Sequence, residues 1–183
     1  MKKTTQFFAL SLFAFLMTIS STAMACGYGL YGINPGKSNF ENVLASNKYY
    51  QHKISTHTEM CFGEDGQHYV TYKTIEFTNF GITLVSQEVK GENFTKSMKN
   101  TKLEKVVFDD YNAFRMMAYR INDKASFYLK NEERNMKGIE AKLGEATSKS
   151  DAALVYEKIG LKFNFGHGIY QDAGKLTSIE WTA

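Results

Sequence analysis

Alternation of apolar and polar residues, rather than helical periodicity, dominates this chain and constrains its fold most. Val, Ile, Tyr, Phe and Thr recur with a period of two in seven segments: 50–61, 67–80, 82–90, 102–109, 153–158, 160–165 and 174–181. Such segments form strands with one apolar face, and short connections between most of them favour antiparallel pairing. Since Pro35 is the only proline, the turns are expected at Gly, Asn and Asp. The pattern predicts antiparallel β-meanders.

A short helix is predicted before each group of strands. Ser38–Glu41 has the spacing of a capping box, and apolar residues on one helical face follow it, which predicts a helix over 38–47. A second apolar face lies within 131–143, where Gly144 is placed to end the helix. The chain is therefore expected to be an α+β protein.

The two groups of strands resemble each other, which indicates an internal repeat. Residues 72–82 align with 156–166, and 102–108 align with 175–181, with aliphatic and aromatic residues at corresponding places. A period of about 75–85 residues is too long for a solenoid and favours two copies of one supersecondary unit. We predict two tandem copies of a short helix followed by an antiparallel meander.

The beginning of the chain predicts export. Met1–Lys3 is a short basic start, 7–19 is an uncharged apolar run, and Ala23 and Ala25 are the small residues that a signal peptidase reads. The apolar run is shorter than the roughly 20 residues that a membrane-spanning helix needs. We therefore expect a signal peptide of a bacterial protein that works in the periplasm or is secreted.

These observations divide the chain into a signal peptide at 1–25, a first helix-meander copy at 26–110, and a linker with the second copy at 111–183. The formal net charge is +3, of which Lys2 and Lys3 belong to the signal peptide, so about +1 remains in the exported part. A nearly neutral chain without runs of Lys and Arg argues against nucleic acid as a partner.

Cys26 follows the expected cleavage site and allows two interpretations. In an oxidising compartment it would form a disulfide with Cys61, the only other cysteine. Closing a loop of that length would stabilise the fold by about 3–4 kcal/mol on the loop-entropy model. Alternatively, Ala25-Cys26 is a bacterial lipidation site, although Ala23 stands where Leu is usual, and a lipid on Cys26 would attach the protein to the outer membrane.

A family resemblance rests on two short stretches. Residues 32–38 lead into Val43-Leu44, and residues 138–146 are followed by Tyr156, Phe163 and Lys175-Leu176. In these stretches the chain resembles the small envelope modules of the outer-membrane assembly lipoproteins (SmpA/OmlA-like) and of the β-lactamase inhibitor proteins. The resemblance implies helices packed on an antiparallel sheet, two tandem copies as in the inhibitors, and binding of other proteins without catalysis.

Few residues form a pattern typical of catalysis or metal binding. His57, Glu59 and Cys61 would share one face of a strand, but a fourth metal ligand is not evident, so we predict no metal site. Gly32–Ser38 is one residue too short for a phosphate-binding loop and is interpreted as a turn before the first helix. His167, between two glycines, is expected in a hairpin turn. We predict no cofactor.

Two pairs of adjacent carboxylates also occur, at Asp109-Asp110 and at Glu132-Glu133. Neighbouring side chains point apart on a strand or a helix, so neither pair forms a carboxylate dyad by itself. We interpret both as solvated caps of adjacent elements.

The segment between the copies concentrates residues that are common in binding hot spots. They include aromatic, arginine and methionine side chains, and the candidate partner-binding residues are Tyr111, Phe114, Arg115, Met117 and Tyr119. The alternative is that some of these side chains fill the junction between two half-cores. Burial decides between the two interpretations.

Three classes of function remain. The first is an exported envelope protein that acts by binding another envelope or secreted protein, as an inhibitor, an immunity factor or an assembly accessory, with no catalysis. The second is a periplasmic small-ligand or lipid-binding protein. The third is a hydrolase that uses His167 or a carboxylate pair. The absence of a catalytic sequence pattern favours the first.

The state of Cys61 tests the disulfide prediction. If Cys26 and Cys61 are bridged, the protein purified from its own cells contains no titratable thiol until it is reduced, and two thiols afterwards. A free thiol at Cys61 together with a lipid-sized mass increase on Cys26 would contradict the bridge and establish the lipoprotein interpretation.

Overall fold

The computed structural model describes residues 30–63, 66–90, 101–166 and 173–183. The predicted signal peptide, Cys26 and His167 lie outside the described residues. Within them, nine strands form a single sheet in which every pairing is antiparallel. The α+β class predicted from the sequence is confirmed.

The sheet order is β1-β2-β3-β5-β9-β8-β7-β6, and the short β4 pairs with β2 beside this path. The strands are β1 (Lys53–Gly63), β2 (Gly66–Phe77), β3 (Ile82–Ser86), β4 (Val89–Lys90), β5 (Leu103–Phe108), β6 (Ser148–Ser150), β7 (Ala153–Tyr156), β8 (Leu161–Phe165) and β9 (Leu176–Thr182). β5 and β9 are central neighbours, although they come from the two different predicted copies.

Three α-helices occur in the described chain: α1 (Phe40–Ser46), α2 (Tyr111–Ile121) and α3 (Met136–Leu143). Their buried side chains belong to the same apolar core as the strands. That core lies on only one face of the central strands. Ile75 and Phe77 of β2 are buried there, and so are the residues that pair with them in turn on β3, β5, β9 and β8. The helices therefore cover one face of the sheet.

α1 begins one residue later than the capping-box prediction. Its N-cap is Asn39, whose side chain accepts a hydrogen bond from the Asn42 amide at 3.0 Å. Ser38 instead donates its hydroxyl to the carbonyl of Gly32 at 2.5 Å, and its own carbonyl accepts from the amide of Leu103. The Ser38 hydroxyl is thus occupied by the Gly32 carbonyl and does not cap the helix.

α2 is not among the helices predicted from the sequence. Its buried residues nevertheless follow helical spacing: Tyr111, Phe114, Met117 and Ala118. The predicted second helix is also shorter than expected, because 131–143 divides into a 3-10 turn and α3. Asn135 caps α3 by accepting from the Gly138 amide, and Gly144 ends it with a positive φ of 84°.

Both groups of strands contain the same turn. A 3-10 turn at Thr78–Phe80 follows β2 and one at Glu157–Ile159 follows β7; each ends at a left-handed glycine, Gly81 or Gly160. Non-glycine residues avoid this conformation, so both glycines are required. Phe77, rather than Tyr72, therefore occupies the place corresponding to Tyr156, which corrects the sequence alignment of this turn.

Further features recur after the turn. A bulge separates Val85 from Ser86 in the pairing of β3 with β5, and another separates Asn164 from Phe165 in the pairing of β8 with β9. The alignment of 102–108 with 175–181 agrees with this pairing, since Leu103 and Leu176 are the partners just beyond each bulge. One sheet and one core join both halves, so the division into two tandem copies stays a prediction.

Gly138, in the middle of α3, provides a test of helix packing. A Cβ atom at this position would overlap the main-chain carbonyl of Glu133. Helix propensity alone predicts that Gly138→Ala stabilises the protein by about 1 kcal/mol. We expect the opposite, a destabilisation of about 1–3 kcal/mol from overpacking, measured by urea unfolding.

Lys142→Gly on the exposed side of α3 serves as the control. We expect it to cost only about 1 kcal/mol, since it changes propensity without a clash. A stabilised Gly138→Ala variant would show that α3 does not pack closely against the preceding turn.

Candidate functional site

The face of the sheet opposite the helices is the candidate functional site, and we call it the open face. Antiparallel partners point to the same side, so the strand pairings identify its central residues: His57, Glu59, Tyr72, Thr74, Val85, Lys105, Val107, Glu180, Lys162 and Asn164. All of them except the exposed Glu59 are half-buried, and none belongs to the apolar core. Antiparallel sheets commonly leave one face toward solvent in this way.

A carboxylate lies at the centre of the open face, where β9 runs between β5 and β8. Glu180 accepts hydrogen bonds from Asn164 Nδ2 at 2.9 Å, Lys162 Nζ at 3.3 Å and Lys105 Nζ at 3.4 Å. Its side chain is only 17% exposed. The network joins three neighbouring strands and fixes the geometry of the surface.

The electrostatics of Glu180 follow from these neighbours. Burial by itself raises the pKa of a carboxyl group. The hydrogen bond from Asn164 and the positive charges of Lys105 and Lys162 outweigh burial, so the pKa of Glu180 lies below its ordinary value. Glu180 is therefore ionised at neutral pH and has no tendency to act as a general acid.

Next to this network, the open face contains a groove of about 390 Å³ between β1, β2, β3 and β5. The imidazole of His57 stacks on the ring of Tyr72 with centroids 5.0 Å apart, and His57 Nε2 lies 3.1 Å from Thr74 Oγ1. The Tyr72 hydroxyl donates to Glu59 Oε1 at 2.6 Å. The groove wall is thus a fixed pair of stacked rings.

Tyr72 is held in its protonated form. Its hydrogen bond to Glu59, its partial burial and the negative charges of Glu59 and Glu88 raise the pKa of Tyr72 to about 12. A phenol of this kind donates a hydrogen bond and presents an aromatic surface, but it is a poor general base at neutral pH. The arrangement suits recognition better than proton transfer.

His57, Glu59 and Cys61 share the open face, as strand alternation predicts. Glu59 already binds Tyr72, and His57 lies beside Thr74. In the described ranges no group of three or more His, Cys, Asp or Glu residues is arranged to hold a metal ion. Because Cys26 lies outside those ranges, its disulfide with Cys61 and its alternative lipidation stay predictions.

Burial divides the candidate partner-binding residues between the copies. Three of these side chains on α2 are at most 4% exposed and lie in the apolar core: Tyr111, Phe114 and Met117. They cannot form a surface patch. Arg115 and Tyr119 lie on the exposed side of the helix. The interpretation of Tyr111, Phe114 and Met117 as surface contacts is therefore corrected: they fill the core, whereas Arg115 and Tyr119 stay candidates.

The carboxylate pairs are not brought together into a catalytic site. Asp110 occupies the N-cap position of α2, and the Glu133 side chain accepts from the Lys130 amide to close the 3-10 turn before α3. Partial burial and the nearby charge of Glu76 raise the pKa of Asp109. The two pairs are separate local features of two different turns.

A second cavity, of about 540 Å³, lies near the end of α2. Ile33 and Trp181 contribute apolar surface. Lys37, Arg120 and Lys158 contribute positive charge, and Glu157 contributes a negative charge. Arg120 is fixed by donating from Nη1 to the Leu30 carbonyl at 2.7 Å. Neither this cavity nor the Glu180 network was predicted, because each combines residues that are far apart in the sequence.

No helix among the described residues is long and apolar enough to cross a membrane. Comparison of the chain with protein-family models, with curated proteins and with solved structures gives no significant match. The resemblance to the envelope modules thus stays a prediction from the sequence.

The Glu180 network predicts an acid-sensitive contribution to stability. We expect Glu180→Gln to lower the free energy of unfolding by about 1–3 kcal/mol at pH 7, because two lysines lose their charged acceptor. A lowered pKa means that this contribution is complete above the ordinary value of 4.5 and is lost as pH falls through the pKa of folded Glu180.

The stability difference between wild type and Glu180→Gln should therefore shrink as the pH falls below 4.5 in urea titrations. Glu145→Gln, at an exposed position, is the control and should change stability by less than about 0.5 kcal/mol. An equal effect of both variants at every pH would show that the network does not contribute.

Proposed function

We propose that this protein is an exported bacterial envelope protein that acts by binding another protein through the open face, without catalysis. The observation that supports this proposal is a sheet face that the described helices do not cover, on which charged, aromatic and aliphatic side chains are held in fixed positions. An inhibitor, an immunity factor and an assembly accessory all use this mode of action, and the sequence resemblance points in the same direction.

Preorganisation makes this face suitable for a protein partner. Binding costs free energy when mobile side chains become ordered, so residues that are already fixed cost less. The Glu180 network holds two lysines in place, and the stacked His57 and Tyr72 rings are held by Thr74 and Glu59. Val85 and Val107 add half-exposed apolar surface between them.

The chemistry of the face also agrees with protein recognition. Interfaces combine aromatic anchors with polar groups and seldom need groups of perturbed reactivity. Here the pKa of Tyr72 is raised and that of Glu180 is lowered, so each keeps its ordinary protonation state at neutral pH. Tyr72 therefore supplies a hydrogen-bond donor to this face, and Glu180 supplies a charged acceptor.

A second candidate function is binding of a small ligand in the 540 Å³ cavity. Its volume falls within the range of about 300–1,000 Å³ that is usual for ligand sites. Trp181 and Ile33 would contact an apolar portion. The excess of positive charge from Lys37, Arg120 and Lys158 over Glu157 would attract an anionic group. This arrangement corresponds to the small-ligand or lipid-binding alternative.

Co-purification tests both candidates. We expect a carboxyl-terminally tagged copy, isolated from its own cell envelope after mild crosslinking, to carry a stoichiometric protein partner. A hydrolase or toxin would establish an inhibitor or immunity role, and outer-membrane assembly components would establish an accessory role. Isolation with bound lipid or a small molecule and no protein would contradict the first proposal and support the second.

Two tyrosines then locate the binding surface. Tyr72→Ala removes an aromatic contact from the open face, and we expect recovery of the partner to fall about tenfold or more, as at a hot spot. Tyr119→Ala removes an exposed aromatic side chain from α2 and should leave recovery unchanged. Loss of the partner in Tyr119→Ala alone would instead assign binding to the exposed side of α2.

A further inference from the structure

β1 forms one edge of the sheet and is unusual for an edge strand. It is 11 residues long, and its pairing with β2 continues from Lys53 to Gly63 without a register shift. Proteins usually protect such edges by short length, bulges, proline or several lysines. β1 contains no proline and a single lysine, Lys53, at its first position. The opposite edge, β6, has only 3 residues.

One hydrogen bond shows which amides and carbonyls of β1 point outward, where they could pair with another strand. The amide of Lys73 in β2 donates to Ser86 Oγ on β3, so it points away from β1. Its partner in β1, Thr56, must then point its own amide and carbonyl away from β2. By alternation, the even-numbered residues of β1 direct these groups outward, and no described residue outside β2 is hydrogen-bonded to the main chain of β1.

The sequence of β1 is complementary to itself in one antiparallel register. If two copies pair with Thr58 opposite Thr58, all 11 residues are paired. The residues whose amides and carbonyls point outward then face their counterparts in the second copy, as a hydrogen-bonded ladder requires. Ile54 lies opposite Phe62 of the second copy, and these residues are 47% and 81% exposed in the single chain.

Side-chain complementarity favours the same register. With Thr58 on the two-fold axis, His57 of each copy lies opposite Glu59 of the second copy, so an imidazole faces a carboxylate acceptor twice. Favourable cross-strand pairs of this kind stabilise strand pairing by about 0.2–1 kcal/mol each. Glu59 binds Tyr72 through one carboxylate oxygen, which leaves the other oxygen for the second copy.

From these observations we propose that two copies of this chain associate through β1, in an antiparallel register centred on Thr58, to form one continuous sheet. The interface is isologous, since the same strand contributes on both sides of a two-fold axis perpendicular to the sheet. This inference is independent of the proposed function, because it rests on the pairing of β1 and is tested by the oligomeric state of the purified protein.

Sedimentation equilibrium of the protein purified from its own cells, over a wide range of concentration, tests the proposal. We expect a reversible monomer–dimer equilibrium. Thr58→Pro removes the outward amide at the axis without removing a hydrogen bond to β2, and proline is tolerated on edge strands. The dimer dissociation constant should rise about tenfold or more, because both central hydrogen bonds are lost.

Thr58→Val is the matched control. Both variants lose the contact between the Thr58 and Thr71 hydroxyls, which lie 3.2 Å apart, but valine keeps the main-chain amide. The valine variant should dimerise like wild type. A wild-type protein that is monomeric at every concentration, or a proline variant that dimerises as tightly as the valine variant, would overturn the proposal.

Substitutions at His57 and Glu59 test the register and do not depend on the folding of the proline variant. Glu59→Lys removes the carboxylate that faces His57 of the second copy at both contacts and should weaken the dimer. The double variant His57→Glu with Glu59→Lys places a carboxylate opposite a lysine at both contacts and should recover dimerisation. If the double variant is no tighter than Glu59→Lys alone, the register centred on Thr58 is wrong.

Discussion

The pairing of β5 with β9 is the interaction on which the rest of the structure depends. It joins residues about seventy positions apart, since Val106 faces Trp181 and Phe108 faces Ile179. Without it, the two groups of strands would form two small sheets, each with an additional exposed edge. Such a long-range pairing also costs considerable loop-closure entropy, so the contacts formed across it must be strong enough to offset that cost.

α2 provides those contacts on the core side. Phe114 packs edge-to-face on Phe108 of β5 and on Phe163 of β8, with ring centroids 5.6 Å and 6.0 Å apart. A single aromatic side chain therefore touches both groups of strands across the β5–β9 junction. On the other side of the same junction, Glu180 ties β9 to β5 and β8 through Lys105 and Lys162. The centre of the sheet is thus fixed from both faces.

Strand positions could be predicted from the sequence because the period-two pattern is local. Each predicted strand overlaps an observed one, and the main error lies at the ends, where 3-10 turns replace the expected continuation after Phe77 and Tyr156. α2 was missed although its buried residues have helical spacing, because its aromatic and basic residues also match a binding patch. Only the burial of the α2 side chains shows that most of them are core residues rather than contacts of a binding patch.

The open face could not be predicted in the same way. Which strands are neighbours is decided by long-range pairing, and Glu180 meets Lys105 only because β5 and β9 adjoin. A sequence shows that polar residues alternate with apolar ones, but it does not show which polar residues from different strands meet. The same limitation applies to the cavity beside Trp181, whose walls come from four separate segments.

The two surfaces identified by the structure are geometrically compatible. Antiparallel partners share a face, so two sheets joined edge to edge by a two-fold axis perpendicular to them keep their open faces on the same side. The helices of both copies then lie together on the opposite side. Pairing at β1 would therefore leave the Glu180 network of each copy accessible and would place both beside one another on a continuous surface. Partner binding by the open face and self-association by the edge thus do not exclude each other, because the Glu180 network lies on β5, β8 and β9, away from β1.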